Sequence, residues 1–221
     1  MASGIDIYGP CDSVVRETNR ELLREFGRLK LAKWDQVNVI RTVTDVYRRS
    51  RKKAKKRYME VMYDAYLLGL TALCGVDPKK AKRMADQLDT EELVDLMLEE
   101  VNPVTRYRFN EEAERKAYRL AESMEIATNR NLEIDRALRS WSGQLGQYAI
   151  LVTDAALLQA FEDAGAEEAE WVTRKDERVC HECRALDGKV FPIEKFPQKP
   201  HLGCRCGRRP VGKGFSPAKA E

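Results

Sequence analysis

The chain has 221 residues, of which 43% are hydrophobic and 34% charged, a composition typical of a helix-rich globular protein rather than a disordered one. Its longest apolar stretch spans about ten residues, roughly half of what a bilayer-crossing helix requires, and the N-terminus lacks the basic-then-apolar order of a signal peptide. We therefore expect a protein that is made and kept in the cytosol, without a membrane span.

Charge and cysteine are unevenly distributed along the chain. The formal net charge is +3, yet residues 171–221 carry 12 basic and 6 acidic side chains, whereas residues 1–170 carry 27 basic and 30 acidic ones. Four of the six cysteines also lie in the basic C-terminal part. In a reducing compartment, clustered cysteines bind metal more often than they form disulfides. This part of the chain is therefore the first candidate for a functional site.

Residues 1–170 have apolar side chains spaced three and four apart, which predicts an irregular array of helices. Asp12 is the expected N-cap of the first helix. Gly75 is expected to end the second, and Asp77-Pro78 to begin the third. Further helices are predicted over 90–100, 110–127 and 132–160.

The second helix is predicted to be the longest, because residues 35–70 contain no proline and keep a heptad-like repeat. A long helix with such a narrow apolar seam needs a partner, and self-association through this helix is one way to supply it. The run from Arg48 to Arg57 has eight basic residues in ten. We favour a solvated or partner-facing role for this run over contacts to nucleic-acid phosphates. The seam positions are Ile40, Val43, Tyr47, Ser50, Ala54, Tyr58, Val61, Ala65 and Leu68.

The helical pattern stops after residues 161–170. Asp187-Gly188 lies between candidate strand residues, which predicts a β-hairpin. So small a module has too few apolar residues to be stable through burial alone. The expected fold is therefore mainly α, an irregular helical array with one long helix, followed by a small zinc-stapled β-hairpin module at the C-terminus.

The cysteines of this module have the spacing of metal ligands. Cys180-x-x-Cys183 is followed, with seventeen residues between, by His201-x-x-Cys204-x-Cys206. Sulfur and imidazole ligands in fours favour tetrahedral zinc. Five donors compete for four positions, and we favour Cys180, Cys183 and His201 with one of the other two. An all-cysteine site with His201 outside it is the alternative.

Other uses of these cysteines are less well supported. A redox Cys-x-x-Cys pair belongs at a helix start inside a βαβ unit, whereas a hairpin is expected here. Catalytic zinc keeps an open ligand position beside an acid or base. We therefore predict closed, structural zinc, no catalytic residues and no further cofactor. The nearby groups that an enzyme would have to use are Asp176, His181, Glu182 and Asp187.

The remaining cysteines, Cys11 and Cys74, are single residues in helical contexts. A lone thiol in such a context is typically a small core side chain.

The spacing of the module resembles a known family. Its segments are W-x-T at 171–173, D-x-R-x-C-x-x-C at 176–183, L-D-G-x-x-F-P at 186–192 and P-H-x-x-C-R-C at 200–206. Together they closely resemble the C-terminal motif of the phage Mu F-like minor head proteins, also called phage head morphogenesis proteins. The resemblance extends more weakly to 103–107 and 141–165. Family members often have proline directly after the histidine, where this chain has Leu202.

The resemblance implies a minor capsid component of a tailed phage or prophage, present in few copies in the virion head and in host cytoplasm during assembly. Its implied partners are the portal and other head proteins, and its implied role is head assembly or the path of packaged DNA. No established catalytic activity is implied. The resemblance divides the chain into an N-terminal helical region (1–104), a Mu F-like region (105–211) that includes the zinc module (171–211), and a flexible tail (212–221).

Two other functions remain open on sequence grounds. One is a zinc-stabilised nucleic-acid-binding module, and the other is a zinc-dependent nuclease. The side chains that would contact phosphates in the first are Arg205, Arg208, Arg209 and Lys213.

Overall fold

The computed structural model describes residues 8–31, 36–102, 105–201, 203–204, 206–212 and 214–215. Seven α-helices lie in this part of the chain: α1 (Gly9–Leu31), α2 (Gln36–Leu68), α3 (Pro78–Gln87), α4 (Thr90–Glu99), α5 (Phe109–Ile126), α6 (Arg130–Asp163) and α7 (His181–Leu186). Three strands follow α6 in the chain: β1 (Glu168–Val172), β2 (Val190–Pro192) and β3 (Gly207–Val211). The prediction of a mainly helical fold with a small C-terminal β module is confirmed.

The helix boundaries follow local capping rules. A π-helical turn, Gly69–Leu73, continues α2, and the helix ends before Gly75, which has a φ of 69°. The carboxylate of Asp77 accepts hydrogen bonds from the backbone N–H groups of Lys79 and Lys80, at 3.0 and 3.1 Å, and so caps α3 as predicted. The prediction for α1 was wrong, because that helix begins at Gly9 and Asp12 lies inside it.

None of the described helices is both long enough and apolar enough to cross a bilayer. The residues divide into two compact units, and α2 and α6 contribute to both. One unit comprises 11–60 and 91–150, and the other comprises 1–10, 61–90 and 151–221.

The core of the first unit is aromatic. Trp141 of α6 stacks on Phe109 of α5, with ring centroids 5.6 Å apart, and also contacts Tyr47 of α2. Its indole N–H donates to the hydroxyl of Ser50 at 2.7 Å. The hydroxyl of Tyr58 donates to the backbone oxygen of Leu145 at 2.9 Å. The hydroxyls of Ser50 and Tyr58 on the apolar face of α2 are thus paired with α6 of the same chain.

These contacts account for the seam of α2. Tyr47, Ser50 and Tyr58 are buried against other helices of this chain, while Ile40 at the start of the seam is 44% exposed. The seam that suggested self-association is therefore largely occupied internally. Most of the basic run from Arg48 to Arg57 also forms ion pairs with carboxylates of this chain. The residues that do so are Arg48, Arg49, Arg51, Lys53, Lys55 and Arg57.

In the second unit, the π-helical turn packs closely on α6. A Cβ added at Gly69 would lie 2.8 Å from the Cβ of Ala160. Two carbon atoms cannot come so close without a shift, so glycine is the residue that fits here. Leu157 and Phe161 of α6 form an apolar cluster with Ala169 of β1. The sheet is therefore anchored on α6 through β1.

The sheet has the order β2-β1-β3, and both strand pairs are antiparallel. The predicted Asp-Gly turn exists, and Gly188 has a φ of 76°, but this turn joins α7 to β2 rather than two strands. The prediction of a two-residue hairpin was therefore wrong. Strand β2 pairs instead with β1, which lies nearly twenty residues earlier in the chain. The reason is local, because Cys180 caps a helix that occupies the positions expected to form the first hairpin strand.

Candidate metal centre

The first half of the candidate centre is built by the start of α7. The sulfur of Cys180 accepts the backbone N–H of Cys183 at 3.3 Å, which is an N-cap made by a thiol. This hydrogen bond is the main reason that the pKa of Cys180 lies below its ordinary value. The cap turns both sulfurs of the Cys-x-x-Cys segment towards the same side.

The second half comes from the segment between β2 and β3. The Nε2 atom of His201 lies 3.1 Å from the sulfur of Cys180 and 3.8 Å from that of Cys183. The sulfur of Cys204 lies 3.5 Å from that of Cys183. Ligand atoms on a tetrahedral zinc ion lie about 3.5–3.8 Å apart, given Zn–S and Zn–N bonds of about 2.3 and 2.0 Å. The donor spacing therefore suits such an ion.

The five predicted donors form two groups that share one member. Cys180, Cys183 and His201 make one group, and Cys183, Cys204 and Cys206 make the other, each with ligand atoms within 4.8 Å of one another. All four thiols are free, and the 3.5 Å separation of the Cys183 and Cys204 sulfurs is far longer than a disulfide bond. The structure thus brings together every residue that the spacing singled out, with Cys183 at the centre.

The electrostatics of the cluster favour a cation. Burial, followed by hydrogen bonding with neighbouring thiols, raises the pKa of Cys183 to about 12. The thiol of Cys206 donates to Cys204, which lowers the pKa of Cys204 to about 5 and raises that of Cys206. Four crowded thiols therefore cannot all ionise by themselves, because each thiolate disfavours the next. A divalent cation removes this conflict, since it stabilises every thiolate that it binds.

A thin apolar shell surrounds the donors. Trp171 and Val179 are buried beside the cysteines, and the ring of Trp171 stacks on Phe196 at 5.8 Å. Phe191 contacts Phe196 edge-on. These apolar side chains pack directly against the cysteines of the cluster.

The alternatives can now be compared with the geometry. The expectation that a hairpin follows Cys183 was wrong, so the Cys-x-x-Cys pair does lie at a helix start. The sheet beside it is antiparallel, however, and contains no βαβ unit within the described residues. His201, Cys204 and Cys206 also crowd the pair, which a simple redox couple does not require.

The nearby carboxylates have local structural contacts. Asp176 accepts the backbone N–H of Arg178 at 3.0 Å, and Asp187 accepts that of Thr173 at 2.8 Å. Over the described ranges, neither donor group contains an Asp or a Glu. Asp176 and Asp187 thus hold turns beside the cluster.

A buried charged group, which the sequence did not predict, lies behind the donors. Lys199, Asp154 and Arg208 are each at most 5% exposed, and both cations form ion pairs with the Asp154 carboxylate. Lys199 and Arg208 flank the second set of metal donors in the sequence, but Asp154 lies in the middle of α6. No local pattern connects such distant residues.

The comparison with protein families finds a match in this part of the chain. The family described as Phage Mu protein F like protein matches residues 146–208. This region is Mu F-like. The match covers under a third of the chain, from the C-terminal part of α6 into β3, and it includes all five candidate metal donors.

The matched family is one of phage head morphogenesis proteins, and at family level it implies association with other head proteins in the virion. No curated protein and no solved structure matches the chain significantly.

Proposed function

We propose that this chain is a minor capsid protein of a tailed phage or prophage, associated with the portal and acting in head assembly or in DNA packaging or ejection. The observation that carries the proposal is the Mu F-like match, which spans the complete set of clustered donors. The proposed partners are the portal and other head proteins, with packaged DNA passing nearby. Assembly would take place in host cytoplasm.

The second element of the proposal is structural zinc. Cys180, Cys183 and His201 would bind it together with either Cys204 or Cys206. Free thiols at tetrahedral spacing and donor groups made only of cysteine and histidine support this site. Zinc would join the start of α7 to the segment before β3, and so close the loops of the sheet. No step of catalysis is assigned to it.

The proposal also gives the chain its regions. Residues 1–104 form the N-terminal helical region, and residues 105–211 form the Mu F-like region with the zinc module at 171–211. Most of the proposed tail, 212–221, lies outside the described residues, as do Arg205 and Lys213.

No observation favours a nucleic-acid-binding module or a nuclease as a second function. Arg208 is buried in an ion pair with Asp154, and Arg209 forms an ion pair with Glu170. At least six of the eight basic residues in the run from Arg48 to Arg57 are also paired with carboxylates. Side chains already paired in this way are poorly placed to bind phosphates.

The test is to count the chain in purified particles of the phage that encodes it. Quantitative mass spectrometry should detect a few copies per head relative to the major capsid protein, and a tagged copy should recover the portal from assembly intermediates. A chain that is abundant in the infected cell but absent from purified heads would contradict the proposal.

A further inference from the structure

We propose that Asp154 is a positioning residue for the metal centre: through Tyr8 and Lys199 it holds the backbone carbonyls of Cys204 and Cys206 in the positions that allow their side chains to bind metal. This inference rests on the proposed zinc site and adds a second layer of residues to it. Neither the family match nor the donor spacing assigns these residues a role.

The first step is the way Asp154 gathers three donors. Its Oδ1 atom accepts the hydroxyl of Tyr8 at 2.8 Å. Its Oδ2 atom lies 3.3 Å from the Nζ atom of Lys199 and 2.8 Å from the Nη2 atom of Arg208. Arg208 also donates from Nη1 to the backbone oxygen of Asp154 at 3.1 Å. One carboxylate on α6 thus fixes side chains from three separate segments.

The second step is the contact of Tyr8 and Lys199 with the backbone oxygens of Cys204 and Cys206. Lys199 donates to the backbone oxygen of Cys204 at 3.2 Å, and the hydroxyl of Tyr8 lies 2.9 Å from the backbone oxygen of Cys206, so its one proton is shared between this oxygen and Asp154. Tyr8 and Lys199 also contact each other directly, since Lys199 donates to the Tyr8 hydroxyl and its Nζ atom lies 4.1 Å from the centre of the Tyr8 ring. Both cysteine carbonyls are therefore held by donors that Asp154 orients.

The third step is charge. The buried group contains two cations, Lys199 and Arg208, and one carboxylate, so it has a net charge of +1. A zinc ion with three thiolates and a neutral histidine has a net charge of −1. Placing these opposite charges next to each other in a buried region offsets part of the cost of burying either one.

The experiment measures the zinc affinity of the full-length chain by competition with a chromophoric chelator. Asp154→Asn removes the anchor and should weaken zinc binding about 10–100-fold, the usual range for residues that orient metal ligands. Tyr8→Phe removes a single hydroxyl and should weaken binding about fivefold, together with faster zinc release to the chelator. If Asp154→Asn fails to fold, Tyr8→Phe decides the question.

Glu25→Gln is the matched control. Glu25 is also a buried carboxylate that pairs with several cations, including Arg49 and Lys53, but it lies in the compact unit that does not contain the metal centre. Glu25→Gln should lower the stability of the chain and leave zinc affinity unchanged.

Zinc affinities of Asp154→Asn and Tyr8→Phe that equal the wild-type value would overturn the inference while leaving the zinc centre intact. An equal loss in Glu25→Gln would also overturn it, because the effect would then reflect general instability. A wild-type chain without zinc would instead overturn the proposed centre itself, together with this inference.

Discussion

Replacement of Cys183 by serine tests the metal centre more sharply than any other single change. Cys183 belongs to both donor groups, so every plausible choice of four ligands includes it. Structural zinc contributes about 10–16 kcal/mol of apparent binding free energy through four ligands, or roughly 3 kcal/mol for each. Loss of one ligand should therefore weaken zinc binding about 100–1,000-fold.

Two measurements follow this change. Elemental mass spectrometry should find about one zinc per wild-type chain and almost none in Cys183→Ser after dialysis. Hydrogen exchange should show lost protection within residues 173–206, between β1 and β3, whereas the aromatic core around Trp141 should stay protected.

The matched control is Cys74→Ser, which makes the same chemical change at a free thiol that neither donor group contains. Cys74→Ser should keep its zinc and its exchange pattern. A Cys183→Ser protein that retains one zinc per chain and native protection would refute the reasoning.

Three further predictions concern stability and pH. Gly69→Ala should destabilise the chain by about 1–3 kcal/mol in urea unfolding because the added Cβ clashes with Ala160. Gly143→Ala is the control, since nothing lies within 4 Å of its added Cβ, and it should be neutral or stabilising. Equal effects of the two changes would contradict the close packing at Gly69. Asp77→Ala should cost about 1 kcal/mol through loss of the α3 cap, and an unchanged urea midpoint would contradict that role. Burial raises the pKa of Cys183 to about 12, so its thiol is protonated at neutral pH without metal. Zinc affinity should therefore fall about tenfold for each unit by which the pH is lowered, for each proton that zinc displaces. An affinity that does not change with pH would exclude this coupling.

Local spacing was sufficient to single out the five candidate donors that the structure brings together. Cys180 and Cys183 are three residues apart, and His201, Cys204 and Cys206 lie within six residues, so chelation by each segment depends on short-range geometry alone. The stop after α2 at Gly75 and the start of α3 at Asp77 were predictable for the same reason, since caps and breakers act within a turn.

Longer-range features could not be read in this way. Asp154 is 45 residues from Lys199, and nothing near either residue indicates that the two are paired. The seam of α2 correctly indicated a partner, but sequence periodicity does not say that the partner is α6 of the same chain. The hairpin prediction failed because a thiol cap at Cys180 favours a helix over the expected strand.

X-ray absorption at the zinc edge of the purified wild-type chain tests the central claim most directly. We predict about one zinc per chain, with sulfur neighbours at about 2.3 Å and a nitrogen neighbour at about 2.0 Å. A chain that contains no zinc, with Cys180 and Cys183 joined in a disulfide, would contradict it.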